Sequence, residues 1–529
     1  MNQKPLNNQW RCVGPGSKGI THAEIVINEE EKCYICEGEN EHRTNNLSLF
    51  RKPSILIAVM AGVAALISGV HGLLTLFNPL VISPVISPEW YSSGDRVLFK
   101  EKSNTDRDSG VKAFRDGDYA KAQAFFEKAV ESDRKKRHTE PELQVYLNNA
   151  KARQAGSTLM LAAVLPVDNR EDQAKEMLRG IADAQTQFND SGGANGRLLE
   201  VLIANDANDS KRAASIAQKL TDNSAVLGVI GHNASSASEA GLKKYEKANP
   251  PLAMISPTST SNTLVSKVFF RTVPSDKESG KKLAYYTKKN LHIDKVAIFY
   301  NPNDTTYSTS LQKAFESNFQ QIGGQVVRKV SLSKPNLNAE NEVKSLSGQV
   351  SAVLLFPDVN LTTEAIQIAK ANFKLKGQRP QLLGGDVLYN LDTLNEGGTA
   401  LEGLILSVPW FAGEENTKKF ADKASERWGG QISWRTATAF DASHALIKAL
   451  SGKHPTRANV LQNLRSIYLT PTKTSGKPVE FSKMGDICRV PVLVKVIGKE
   501  FQILPVSEKS RGVYQEHHNH IANAASNCN

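Results

Sequence analysis

The sequence predicts an α/β protein whose larger part folds as two lobes, each a mostly parallel sheet flanked by helices. Three observations predict it. From Ser157 onward, apolar β-branched runs alternate with longer amphipathic segments. The runs are apolar throughout rather than at every second position, as strands covered on both faces by helices are. The pattern continues for about 350 residues, more than a single sheet comfortably organises.

Composition narrows the class. The chain has 529 residues, 40% hydrophobic and 22% charged. That balance excludes wholesale disorder and a many-span membrane protein. Lys and Arg number 65 against 54 Asp and Glu, a formal charge of +11. The basic residues are dispersed, with no block longer than Arg134–Arg137, so nucleic acid is not an expected partner. Five cysteines are too few for a disulfide framework.

Residues 1–52 form a tail with Cys33 and Cys36 in a C-x2-C knuckle and Cys12 upstream. Thiolates so spaced reach one tetrahedral zinc, with His22 or a second chain as fourth ligand. Free thiols and a redox pair are the alternatives. Residues 53–77 contain the apolar run Ile55–Phe77, whose single ionisable residue is His71. As a helix it is about 35 Å long, enough to span a bilayer. A lipoprotein anchor would need a cysteine just after the run, and none lies between Cys36 and Cys488. Arg51 and Lys52 precede the span, and the first basic residue after it is Arg96. The positive-inside rule therefore puts the tail in the cytoplasm and the rest outside the plasma (inner) membrane. Cys488 and Cys528 then lie on the oxidising side, where they can pair as a disulfide.

Residues 78–108, proline-rich at their start, read as an extended linker. Residues 109–153 read as helices. Gly110–Val130 carries small and aromatic residues at helical spacing, broken at Gly117-Asp118, and Pro141 opens a further helix. The segment resembles one tetratricopeptide repeat; a generic helical hairpin acting as a stalk is the alternative. Either must pack on a neighbour or a partner.

Within residues 157–505, strands are expected at Leu159–Leu165, Leu198–Ala204, Val226–Ile230, Val296–Tyr300, Val326–Val330, Ala352–Phe356, Leu382–Gly384 and Leu404–Val408. Helices are expected at Glu171–Phe188, Asp209–Leu220 and Ser236–Lys247. Lobe 1 is drawn over 157–273 and 407–477, lobe 2 over 274–406 and 478–505, and residues 506–529 form a polar tail. Ligands of such sheets bind at the carboxyl ends of the strands. Two hydroxyl-rich loops fall there: Ser235 and Ser236 after one strand, and Thr258, Ser259 and Thr260 after the next. Hydroxyls and free N–H groups at a helix start either cap the helix or hold an anion such as a carboxylate.

The runs Val229–Ser236 and Ala253–Thr260, with Asn205–Asp209 ahead of an alanine-rich helix, resemble the Leu/Ile/Val-binding branch of the type I periplasmic binding proteins. The resemblance covers residues 157–505 and implies a two-lobed clamshell that closes on a small ligand. It implies a ligand carboxylate held by Ser235, Ser236, Thr258, Ser259 and Thr260, and contact with Tyr307. It implies that Asp386, in place of the usual Glu, takes the ligand ammonium. The sequence departs from the family at Pro357-Asp358-Val359, where an aromatic is usual, and in the opening loop. There Asp168 adds a charge suited to a cationic or polar ligand.

The implied role is the membrane-anchored substrate-binding component of an ABC transporter. It would bind a branched-chain or similar amino acid, or a related small polar solute, in the periplasm for permease subunits, and would need no cofactor beyond the zinc considered for the tail. The retained span and tail leave a second reading open, a ligand-sensing receptor that signals through the span or the helical repeat. Catalysis is not expected. The chain has no G-x-S-x-G, H-E-x-x-H or P-loop motif. His232 beside the serine loop has no third triad member, and His517, His518 and His520 sit in the polar tail.

Overall fold

A computed structural model describes residues 10–12, 26–28, 43–44, 88–100, 104–135 and 139–504. The chain divides into two units, residues 1–83 and 84–529. In the first, strands Trp10–Cys12, Val26–Asn28 and Arg43–Thr44 form an antiparallel sheet with Trp10–Cys12 at its centre. The side chain of Cys12, and His22, Cys33, Cys36 and residues 53–77, lie outside the described residues. So do Cys528 and the histidines of the C-terminal tail. Among the described residues no helix is long and apolar enough to cross a membrane.

The second unit holds two sheets. The first runs in the order Tyr91–Ser92, Leu199–Asn205, Leu159–Leu165, Val226–Ile230, Met254–Ser256, Phe269–Arg271. Its last five strands are parallel, and Tyr91–Ser92 is an antiparallel edge. The second runs Gln325–Ser331, Lys295–Tyr300, Ala352–Phe356, Gln381–Gly384, Ile405–Val408, Val492–Ile497, Glu500–Ile503. Its first five strands are parallel and its last two antiparallel. Val226–Ile230 and Ala352–Phe356 are buried at every residue, which is why they read as unbroken apolar runs. Helices cover both faces. Glu171–Asp190 and Trp434–Ala449 meet backbone to backbone at Gly180, where a Cβ would lie 2.1 Å from the Thr436 carbonyl oxygen.

Three crossovers join the lobes, after Arg271, after Val408 and before Val492. The last falls later than the division drawn at residue 478. Val479, Phe481 and Ile487 are buried in the first lobe's core. The cause is a clasp: Arg489 donates from Nη1 to Asp441 Oδ2 at 2.7 Å, and from Nε and Nη2 to the carbonyls of Pro478 and Lys477. Cys488 beside it is disulfide-bonded.

The linker drawn over 78–108 also needs correction. Tyr91–Ser92 pairs with Leu199–Asn205, and Ser92 and Phe99 are buried. Helices Thr105–Arg115, Tyr119–Lys135 and Pro141–Ala155 follow. Phe114, Phe126, Val145 and Tyr146 from these helices share one continuous core with the first lobe, so the helices pack on a neighbour within the chain. Asn149 explains the fit of the third helix. Its Oδ1 accepts from Val201 N at 2.9 Å and its Nδ2 donates to the Val201 carbonyl at 2.8 Å, so a side-chain amide pairs with the strand as another peptide would. Asn149→Ala leaves these buried backbone groups unpaired. It should lower stability by on the order of 2–3 kcal/mol, read as the shift in a denaturant midpoint.

Candidate ligand-binding cleft

A cavity of about 450 Å³ opens between the lobes. Its walls follow strand ends. Asn169, Asn208, Asn233 and Thr258 come after successive strands of the first lobe, and Asn301, Asp358 and Asp386 after strands of the second. This is where parallel sheets offer loops and helix starts to a ligand.

The first-lobe wall is built around helix Ser235–Lys247. The strand before it ends at Gly231, whose φ of +132° suits only glycine and whose Cβ would lie 2.4 Å from the Val164 carbonyl oxygen. The helix N-cap is Ala234, which has no side chain to accept a hydrogen bond. Ser235 and Ser236 are therefore the first two helical residues and not caps. The N–H groups of the first turn have no intrahelical partner, and Ser235 and Ser236 line the cavity beside them. Together they present donors of the kind that suits an anion.

The neighbouring loop positions that wall. Ser256 Oγ donates to the His232 carbonyl at 2.9 Å, and Thr258 Oγ1 to the Asn233 carbonyl at 2.8 Å. Ser259 Oγ lies 2.7 Å from Ser238 Oγ. These hydroxyls spend their protons on fixing residues 232–238. Of the three expected on this loop, only Thr258 reaches the cavity; Ser259 and Thr260 are buried behind it. His232 is fully buried, with Nδ1 2.6 Å from Asp206 Oδ2 and Nε2 3.1 Å from Tyr245 Oη. Both ring nitrogens are taken by groups other than Ser235 and Ser236, so no Ser–His pair forms.

The second-lobe wall carries the opposite charge. Tyr307 Oη donates to Asp386 Oδ1 at 2.9 Å, and both line the cavity. Burial holds the Asp386 carboxyl above the ordinary carboxylate range, while Tyr307 and the Arg435 charge pull it back. Tyr307 is itself placed by Asp304, which accepts from the backbone N–H groups of Thr306, Tyr307 and Ser308. An ammonium between Tyr307 and Asp386 would restore the counter-charge that burial removes.

Asp168 does not join the site. It accepts from Arg212 Nη1 at 2.5 Å on the first lobe, and Arg212 stacks over Trp90. Its neighbour Arg170 does, and it reaches across. Nη2 of Arg170 donates to the Val359 carbonyl at 3.0 Å and to Asn360 Oδ1 at 2.9 Å. Arg435 and Trp434, at the start of the helix Trp434–Ala449, also line the cavity. Sequence reading missed all of these. The asparagines after successive strands were a usable signal; nothing near Arg435 marked it.

Behind the cavity lies Asp276, fully buried, with the Ser310 and Thr260 side chains beside its carboxyl group. Burial, with the Asp386 charge adding to it, pushes its pKa up to about 7. Burial likewise raises Glu142 to about 7 and Asp183 to about 6. The folded protein thus holds protons that the unfolded chain has released above pH 4. The stability they contribute is full below the unfolded pKa and is lost as pH rises through about 7. Urea unfolding of the ligand-free protein should show Asp276 favouring pH 5 over pH 8 by about 2–3 kcal/mol, read as the amount by which Asp276→Asn changes the stability difference between the two pH values.

Comparison with known proteins agrees with this architecture. A family model described as periplasmic binding protein matches residues 169–484. The Leu/Ile/Val-binding protein of Escherichia coli (strain K12) is 24% identical over 233 residues, 44% of this chain and 61% of that protein. The leucine-, isoleucine-, valine-, threonine-, and alanine-binding protein of Pseudomonas aeruginosa is 31% identical over 151 residues, 28% of this chain and 40% of that protein. The chain thus spans about three-fifths or less of the length of these two relatives. Among solved structures, a leucine binding protein from Thermotoga maritima MSB8 superposes with a TM-score of 0.58 at 22% identity, over 66% of this chain and 98% of that one. These relatives are solute-binding proteins and not enzymes. With the family model matching more than half its length, the chain belongs to the periplasmic binding protein family.

Proposed function

We propose that the protein binds a free α-amino acid, or a closely related small polar solute, between its lobes and presents it to an ABC permease. The observation that carries this is the pairing of poles in one cavity. The helix start at Ser235 and Ser236 suits a carboxylate, and Asp386 with Tyr307 suits an ammonium. The poles stand on opposite lobes, so a ligand joining them stabilises the closed state through contacts the open state lacks. The names of the amino-acid-binding relatives support this reading.

In this reading the apolar run Ile55–Phe77 anchors the protein in the plasma membrane. The tail of residues 1–52 is then cytoplasmic, the clamshell lies outside, and Cys488 pairs with Cys528. The helices over residues 105–155 serve as a stalk or repeat that is built into the first lobe. Cys12, Cys33 and Cys36 remain candidate zinc ligands of the tail.

The test is a thermal-shift screen of full-length protein in mild detergent, stripped of carried-over ligand, against the twenty amino acids and simple amides. A stabilising set that shares a free α-amino and a free α-carboxyl group supports the reading. A well-folded protein that no amino acid stabilises overturns it. Recovery of permease subunits with the protein from detergent-solubilised membranes tests the transport partner.

A further inference from the structure

The cavity departs from what a branched-chain side chain requires. An apolar ligand group needs apolar walls, because a buried polar group left without a partner costs free energy. Of the 22 residues lining this cavity, the aliphatic ones are Ala207, Ala234, Val359 and Val387. Around them stand asparagines from nearly every loop, and an arginine from each end of the first lobe's contribution.

The two arginines differ in how far they are committed. Arg170 is bonded to Val359 and Asn360 of the second lobe and to the Asn169 carbonyl. Arg435 is not. It is 4% exposed, it stacks on Trp434 with its guanidinium carbon 4.5 Å from the ring centroid, and its one ion pair is a long 3.3 Å contact from Nη1 to Glu176. Its Nε has no hydrogen-bond partner among the described residues, and neither has Trp434 Nε1 or Asn208 Nδ2. Buried donors of this kind are normally satisfied. With asparagines and two arginines around most of the wall, the lining is polar, and a polar lining points to a ligand that brings oxygen acceptors beyond its α-carboxylate.

The sign of the local charge narrows the ligand further. Asp209, Asp304, Asp358 and Asp386 line the cavity against Arg170 and Arg435, and Glu176 already lies on Arg435. A second carboxylate on the ligand would meet this excess of negative charge. An uncharged carboxamide would not. Its carbonyl accepts from the guanidinium, and its NH2 donates to a carboxylate oxygen.

We infer that the site selects an α-amino acid whose side chain ends in a carboxamide, with Arg435 as the residue that reads that group. This rests on the reading of the cleft as an amino-acid site, and the experiment separates the two. Full-length protein in detergent, stripped of bound ligand, is titrated calorimetrically with glutamine, asparagine, glutamate, aspartate, leucine, norleucine and alanine. Glutamine or asparagine should bind tightest, with norleucine, of similar length but without polar atoms, at least about tenfold weaker. Arg435→Met should lower the affinity for the amide by at least about tenfold more than it lowers that for alanine, which offers only the α-groups and feels Arg435 only through its charge on Asp386. Should the variant fold poorly, the wild-type comparison of glutamine with norleucine decides alone. Leucine or norleucine binding as tightly as glutamine overturns the inference and leaves the amino-acid reading standing. Glutamate or aspartate binding tightest overturns it in the same way. No heat from any of the seven overturns the inference, and the screen of all twenty amino acids then decides the amino-acid reading itself.

Discussion

Asp386→Ala should reduce affinity for the amino-acid ligand by about 100-fold or more, while the denaturation midpoint of the ligand-free protein falls little or rises. Asp386 is buried and carries a carboxylate whose protonation burial favours. Its hydrogen-bond partner in the second lobe is the Tyr307 hydroxyl at 2.9 Å, and the substitution releases the desolvation cost of a buried charge. With ligand bound, the same substitution strands an ammonium in a closed cavity. Removing one member of a buried, hydrogen-bonded charge pair costs about 2–5 kcal/mol, which corresponds to the expected loss. Asp386→Asn keeps the shape and the Tyr307 contact but not the charge, and should fall between. Lower pH should act in the same direction. As Asp386 takes up a proton the ammonium loses its counter-charge, so affinity should decline from neutral toward acid pH. Calorimetry on both variants at two pH values checks the set.

Arg489→Ala should lower folding stability by about 3–5 kcal/mol, the usual cost of leaving a buried carboxylate without its cation. Asp441 is fully buried on the helix Trp434–Ala449. It accepts from Ser475 N at 2.7 Å, Ser475 Oγ at 2.8 Å and Arg489 Nη1 at 2.7 Å. The clasp fixes residues 475–489 to the same helix that presents Trp434 and Arg435 to the cavity, just before the chain passes into the second lobe. Loss of Arg489 should therefore also loosen the ligand site. Guanidinium unfolding reads the first effect, and ligand affinity under conditions where the variant is folded reads the second. Asp441→Asn with Arg489→Met removes both charges together and should be less damaging than either change alone.

How legible these features were follows from which physical signal each one leaves. Leu159–Leu165, Val226–Ile230 and Ala352–Phe356 were read from the sequence to the residue, because strands buried on both faces are unbroken apolar runs. Helix Glu171–Asp190 was legible for a similar reason: Ala174, Met177, Leu178 and Ile181 mark its buried face. The antiparallel edge Val492–Ile497 and Glu500–Ile503 was not anticipated. The last strand is largely exposed, so its residues carry little apolar signal. The stretch Tyr91–Phe99 reads as linker because a two-residue strand and a buried Ser92 leave no periodicity to detect. Within the cleft, Ser235, Ser236, Thr258, Tyr307 and Asp386 were reachable through their loops and the family resemblance, and the structure gathers these five around one cavity. Ser259 and Thr260 share the loop's composition but turn inward to hold the backbone or fill the core. Asp168 is diverted by Arg212, 44 residues away in the chain. Arg435 comes to the cavity only because Gly180 lets its helix lie against Glu171–Asp190. A contact of that kind depends on tertiary packing that no local pattern encodes.

In the proposed function, one cavity grips the two α-groups of an amino acid from opposite lobes. The measurement that tests it most directly takes the tightest-binding amino acid and titrates full-length protein with it, with its decarboxylated amine and with its 2-hydroxy acid analogue. The amino acid should bind, and each analogue, lacking one pole, should be weaker by about 100-fold or more. Asp386→Ala should narrow the gap between the amino acid and the hydroxy acid. An amine or hydroxy acid that binds as tightly as the amino acid would contradict it.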